Sequence, residues 1–281
     1  MKNYNKIGIM SGRLSKPIKN KIQSFPVNSW KTEFETASTT GFELLEWVFD
    51  EIEPNPILND DGIKEIKYFS DKFQIKINSV CADYFMINKI FNVSEFDLRK
   101  NIQILKELIS KCNSLEIEIL EIPFVDISSM KNKQDKIQVL KNLKDVLLFA
   151  KENNVKITLE TDLPATEFNE FLLMFDLPIF ANYDIGNSTS LGFDVVNELE
   201  ILSEWIRNIH IKDRKLHGST VSLGTGDVDF DEFFSNVAKI KYKYDFIIQG
   251  AREDLVDPHI EPRMTCARYL KFVNQYMKKY F

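Results

Sequence analysis

Residues 155–212 contain three short runs of one kind: VKITLET (155–161), PIFANYD (178–184) and IRNIHIK (206–212). Each is rich in β-branched or aromatic residues and too short to be a helix, so each predicts a buried strand. Each also carries one polar residue at or near its end: Glu160, Asp184 and His210. Outward from this segment the pattern repeats. KIGIMSG (6–12), FELLEWV (42–48), QIKINSVC (74–81) and LEIEILEIPFV (115–125) precede it, and YDFIIQG (244–250) follows.

The stretches between the runs have helical period. SEFDLRKNIQILKELISKCNS (94–114) opens on a Ser94 cap signal and repeats apolar residues at intervals of three and four. DKIQVLKNLKDVLLFAKENN (135–154) closes on Asn153 and Asn154, and Asp229 caps DVDFDEFFSNVAKI (227–240) with Glu232 three residues on. Eight strand–helix units with no change of composition predict an α/β fold, a (β/α)₈ TIM barrel, as a single domain over 1–281. A doubly wound open sheet is the alternative. It usually carries a GxGxxG turn after its first strand, and GIMSGRLS is not one.

The chain of 281 residues is 44% hydrophobic and 28% charged, with a net charge of −6. That is enough apolar residue for a large core, and the acidic balance argues against a nucleic-acid surface. No run approaches the ~20 apolar residues of a membrane span, and the first residues show no apolar segment of signal-peptide length. Cys81, Cys112 and Cys266 are odd in number and far apart. The expectation is a cytoplasmic protein with reduced thiols, without nucleic-acid or membrane partners, and with homo-oligomerisation left open.

In such a barrel the C-terminal strand ends share one mouth. Glu160, Asp184 and His210 would meet there, and two carboxylates with an imidazole suit a divalent cation: Mn, Mg, Co or Zn. Structural hydrogen bonding is the other reading of each. Other strand ends offer candidate substrate-binding residues, Arg13, Glu46 (for a substrate hydroxyl, or paired with Arg13), Asp83, Lys212, Asp213 and Arg252, with Asn187 in the loop after the sixth run and Gln249 at the end of the eighth. Arg13 or Arg252 could meet an acidic group on the substrate, or either could form ion pairs with Glu46, Asp83 and Glu253. Lys212 and Asp213 could orient His210, and the turn at Gly224 and Gly226 could receive an anion. His217 and His259 are given no role, and Trp30, Trp47 and Trp205 are read as packing.

TLET with Glu160, YDIGN with Asp184 and Asn187, HIKDR with His210, and LGTGDVDF (223–230) resemble, in this order, the xylose-isomerase-like sugar phosphate isomerase/epimerase superfamily. The resemblance runs from IGIMSGRLS through FELLEW to FIIQGAR. It implies that Glu160, Asp184 and His210 are metal ligands and that Glu160 also moves a proton. Many members place a glutamate on strand eight as fourth ligand and second base, where this chain has Gln249. An amide oxygen ligates a hard cation or anchors a hydroxyl, but it carries no titratable proton.

The resulting expectation is a metal-dependent isomerase or epimerase of a small sugar, sugar phosphate or keto-polyol, working through an enediolate. Because Gln249 cannot be a second base, one-base isomerisation or dehydration is favoured over epimerisation, with Glu46 or Asp83 as the residues that could overturn this. A barrel that has lost catalysis is the non-enzymatic alternative. The related metal-dependent DNA-repair endonucleases need more ligands than three histidines, two of them in loops, supply.

Overall fold

A computed structural model describes residues 5–281. Eight parallel strands close into a barrel: β1 (Ile7–Met10), β2 (Leu44–Val48), β3 (Lys76–Cys81), β4 (Ile119–Phe124), β5 (Lys156–Thr161), β6 (Phe180–Asp184), β7 (Ile206–Ile211) and β8 (Phe246–Ile248). β1 closes the ring by pairing with β8 on one side and β2 on the other. Each strand lies inside the run that predicts it.

Side chains alternate between two destinations, as the strand period requires. Ile9, Leu45, Trp47, Val80, Leu120, Ile122, Leu159, Ala181, Ile209, Ile211 and Ile248 belong to one apolar core. Helices such as Trp30–Thr40, Glu95–Ser114, Lys133–Glu152 and Phe230–Lys239 complete that core. Full burial of one such side chain stabilises by about 1.5–3 kcal/mol. The other parity points inward and becomes polar toward the mouth, where Glu46, Ser79, Glu121, Glu160, Asn182, Asn208 and His210 face one another.

The caps explain the helix starts. Ser94 accepts from Asp97 N and Asp229 from Glu232 N, as their sequences predict. The helix Lys133–Glu152 instead starts earlier than expected, because Asn132 accepts from Asp135 N and Asp135 turns to Lys131 N and Asn92. A short hairpin, Asp213–Arg214 with Thr220–Val221, follows β7 and borders the mouth.

Candidate active site

Register brings the polar positions level. β6 and β7 align Asp184 with His210, β3 and β4 align Cys81 with Glu121, and β4 and β5 align Pro123 with Glu160. Above them a cavity of about 370 Å³ opens at the C-terminal face, the size of a small-ligand site.

His210 is fully buried, behind the residues that line the cavity. Its Nε2 lies 2.8 Å from Glu46 Oε2 and 3.2 Å from Glu121 Oε2, and its Nδ1 is 3.5 Å from Glu160 and 4.0 Å from Asp184. Burial works to lower the imidazole pKa, but Glu46 and Glu121 outweigh it and push it well above the usual histidine range. Glu46 is fixed in turn by Ser79 Oγ at 2.7 Å and Asn208 Nδ2 at 2.9 Å. Its place is therefore beneath His210, where it accepts the Nε2 proton and leaves Nδ1 facing the other carboxylates. This corrects the expectation of a substrate-binding Glu46 or one paired with Arg13. Glu46 lies within β2, below the mouth.

One wall of the cavity is charged. Asn187 Nδ2 donates to Glu160 Oε1 at 2.5 Å, and Arg214 donates to Asn187 Oδ1 at 2.9 Å. Asn182 donates to Glu160 Oε2 at 2.9 Å, and Lys212 Nζ lies 2.6 Å from Asp184 Oδ2. Burial acts to raise the Glu160 carboxyl, but the hydrogen bond and charge of His210, with Lys212, hold it down at about 2. Burial raises Asp184 above the usual carboxylate range, with Lys212 opposing it.

Another part of the cavity lining joins two amides to Arg13 and Asp83. Gln249 Nε2 donates to Gln23 Oε1 at 2.9 Å, Gln23 Nε2 donates to Asp83 Oδ2 at 2.5 Å, and Arg13 donates to Gln23 Oε1 at 3.1 Å. The Cys81 thiol donates to Asp83 Oδ1 at 3.3 Å. Burial pushes the Asp83 carboxyl up to about 6 against these hydrogen bonds. The Gln249 amide oxygen is buried without a hydrogen-bond partner among the described residues, a ligand-seeking group in a polar cavity.

Two expected substrate contacts lie elsewhere. Asp213 is buried, and its carboxylate accepts from the backbone N–H of Gly224 (2.9 Å), Gly226 (2.8 Å) and Val228 (3.3 Å). The anion received by that turn is the chain's own. A Cβ on Gly226 would sit 1.8 Å from Asp213 Oδ1, so only glycine fits there. Asp213 does not orient His210, and neither does Lys212, which pairs with Asp184. Arg252 donates to the carbonyls of Gly12 and Ser15 and pairs with Asp254 at 3.2 Å. It ties the loop after β1 to the chain after β8 and does not border the cavity. Arg13 does border it, but two of its donors serve the carbonyls of Gly250 and Ile22.

Several lining residues have no role in the sequence analysis, among them Glu121, Arg214 and Gln23. Glu121 in ILEIPF mirrors Glu46 in LLEWV, one acid at inward parity in an apolar strand, and that signal was available. Arg214 adjoins the HIKD motif. Gln23 lies in an irregular loop, where no periodicity marks it.

Glu160, Asp184 and His210 each offer one donor atom, all within 4.8 Å of one another, and Glu46, Glu121 and His210 form a second such group. The first fits a divalent cation: hard oxygens, one imidazole nitrogen and a supporting carboxylate behind the ring.

The chain is 22% identical to the L-ribulose-5-phosphate 3-epimerase UlaE of Escherichia coli (strain K12), over 83% of this chain and 86% of that protein. Its fold matches that of D-psicose 3-epimerase from Clostridium cellulolyticum H10, solved with D-tagatose (TM-score 0.73, 16% identity, 96% of this chain and 99% of that one). It also matches the IOLI protein with a bound zinc atom (TM-score 0.78, 15% identity, 98% and 99%). The family model for the xylose isomerase-like TIM barrel matches residues 34–261, and this chain belongs to that family.

Proposed function

We propose that this single barrel domain is a divalent-metal-dependent epimerase or isomerase of a small ketose or ketose phosphate. The observation that carries this reading is the convergence of Glu160, Asp184 and His210 beneath a sugar-sized cavity. Sugar epimerases among the relatives, and zinc in a structural neighbour, support it. Glu160, Asp184 and His210 would hold the cation, with the unpartnered oxygen of Gln249 as a further ligand or as the acceptor of a substrate hydroxyl. When bound, the metal supplies Lewis acidity toward a carbonyl and its neighbouring hydroxyl.

The protein's own groups do the rest. Glu160, held ionised, takes the proton from the carbon next to the carbonyl, and the electron pair moves onto the carbonyl oxygen to give the enediolate. Asn187 and Asn182 fix the Glu160 carboxylate for that transfer. Lys212 and Arg214, which border the cavity, bring positive charge to an enediolate or a phosphate. Wild-type protein incubated with manganese and a panel of ketopentoses, ketohexoses and their 5- and 6-phosphates in D₂O should incorporate deuterium next to the carbonyl of at least one. Full activity after exhaustive chelation, with no metal in the protein, would refute the proposal.

A further inference from the structure

We propose that Asp83 is the second proton-transfer residue, replacing the acid that strand eight does not supply, and that it serves the face of the substrate opposite Glu160. The proposal rests on the epimerase reading above and deepens it. Inversion at one carbon needs two proton-handling groups on opposite faces of the enediolate. Gln249 cannot be one, since an amide does not titrate.

Two hydrogen-bonded groups line the cavity, and Cys81 and Glu121 lie between them, the thiol 3.3 Å from Asp83 Oδ1 and 3.7 Å from Glu121 Oε1. One group joins Glu160, Asn187 and Arg214; the other joins Gln249, Gln23, Arg13 and Asp83. Glu160 and Asp83 are the carboxyls of these two networks, and both border the cavity. Of the other acids nearby, Glu46 is sealed under His210, and Asp126 borders the cavity from the exposed turn after β4, outside both groups. Glu121 borders the cavity from the strand next to Glu160 and also contacts His210, so it lies on the Glu160 side.

Gln23 and Cys81 fix the Asp83 carboxyl. Charged and titratable groups act on it from several elements: Asp50 after β2, Cys81 on β3, Glu160 on β5 and Arg13 after β1. Its raised pKa of about 6 leaves it able to hold a proton and to release one near neutrality. Glu160 removes the substrate proton, and protonated Asp83 then gives its proton to the same carbon from the other face. The enediolate electron pair forms the new C–H bond and the carbonyl is restored. Glu160 loses its proton to water in the open cavity and Asp83 takes one back. The reverse reaction exchanges their roles.

The test is Asp83→Asn, which keeps an acceptor for Gln23, assayed in D₂O with the ketose panel above, each ketose paired with its epimer. Epimerisation should fall by about 10²–10⁴-fold, the usual contribution of an acid–base group. Deuterium exchange without inversion should continue from the epimer whose C–H faces Glu160 and stop from the other. Metal content should match wild type. In metal-free protein, carbon-13 NMR of side-chain carboxyls should lose one resonance titrating near pH 6.

Epimerisation within about threefold of wild type would overturn the proposal. So would equal loss of exchange from both epimers, which a merely structural role would produce, or a lost resonance that titrates below pH 4. A wild-type protein that exchanges but never inverts would refute the second base and leave the metal-assisted enediolate reading intact. One that does neither would refute both.

Discussion

The two walls of the cavity solve different electrostatic problems. The side built by β5, β6 and β7 carries Glu160, Lys212 and Arg214 at the cavity surface, with Asp184 and His210 buried behind them, so every acid there has a nearby cation. The wall from β8, β1 and β3 uses Gln249, Gln23, Arg13 and one acid, Asp83, which burial drives toward its neutral form. Concentrated charge at the first wall suits a dication. At the second, desolvation outweighs the hydrogen bonds and lets a proton stay on the half-buried Asp83 carboxyl up to about pH 6. Replacing a strand-eight acid by Gln249 removes one negative charge where the walls meet. A bound dication there would be held less tightly and would polarise its ligand more strongly.

The hardest way to break this contrast is to remove the charged wall's ligands. In Asp184→Ala and His210→Ala we expect loss of metal retention and at least about a 10³-fold fall in activity, with the barrel intact. Elemental analysis and circular dichroism of the purified variants check both parts. Wild-type metal content in either variant would show that the cation is held elsewhere.

A smaller effect probes the support under that wall. Glu46→Gln keeps a hydrogen-bonding side chain beneath His210 but removes the charge that accepts its Nε2 proton. Metal affinity should drop by about 10–100-fold, the usual cost of disturbing such a partner. Competition titration with a chelating dye measures it, and unchanged affinity would mean that His210 needs no carboxylate behind it.

The smallest effect sharpens the neutral wall. The Asp83 carboxyl is raised in the folded protein, from 3.8 to about 6. Between these values the unfolded chain releases its proton while the folded chain keeps it, so stability falls as pH rises through this window and then levels off. Asp83→Asn has no such loss. Metal-free Asp83→Asn should therefore gain on wild type between about pH 4 and pH 6, by on the order of 1–2 kcal/mol given some solvent contact at Asp83. Urea unfolding at pH 4, 5, 6 and 7 reads the difference. A constant offset across the series would show that Asp83 titrates normally.

The sequence by itself determined the barrel and the metal-suited triad. Strand and helix periods are local properties, and eight runs alternating with capped helices leave few other ways to bury both faces of every strand. Glu160, Asp184 and His210 were legible for the same reason, each being a polar residue at the end of a buried run. Tertiary structure alone decided where charge and hydrogen bonds go. Glu46 and Asp213 read as mouth residues in one dimension, yet one orients an imidazole from below and the other fills its own turn. Arg252 looks free to meet an anion until the loop after β1 supplies two carbonyls. Gln23 has no sequence signature, since an irregular loop has no period and its partners Gln249 and Asp83 lie far away in the chain. Burial and long-range partners set these roles, and neither is written in the spacing of residues along a strand.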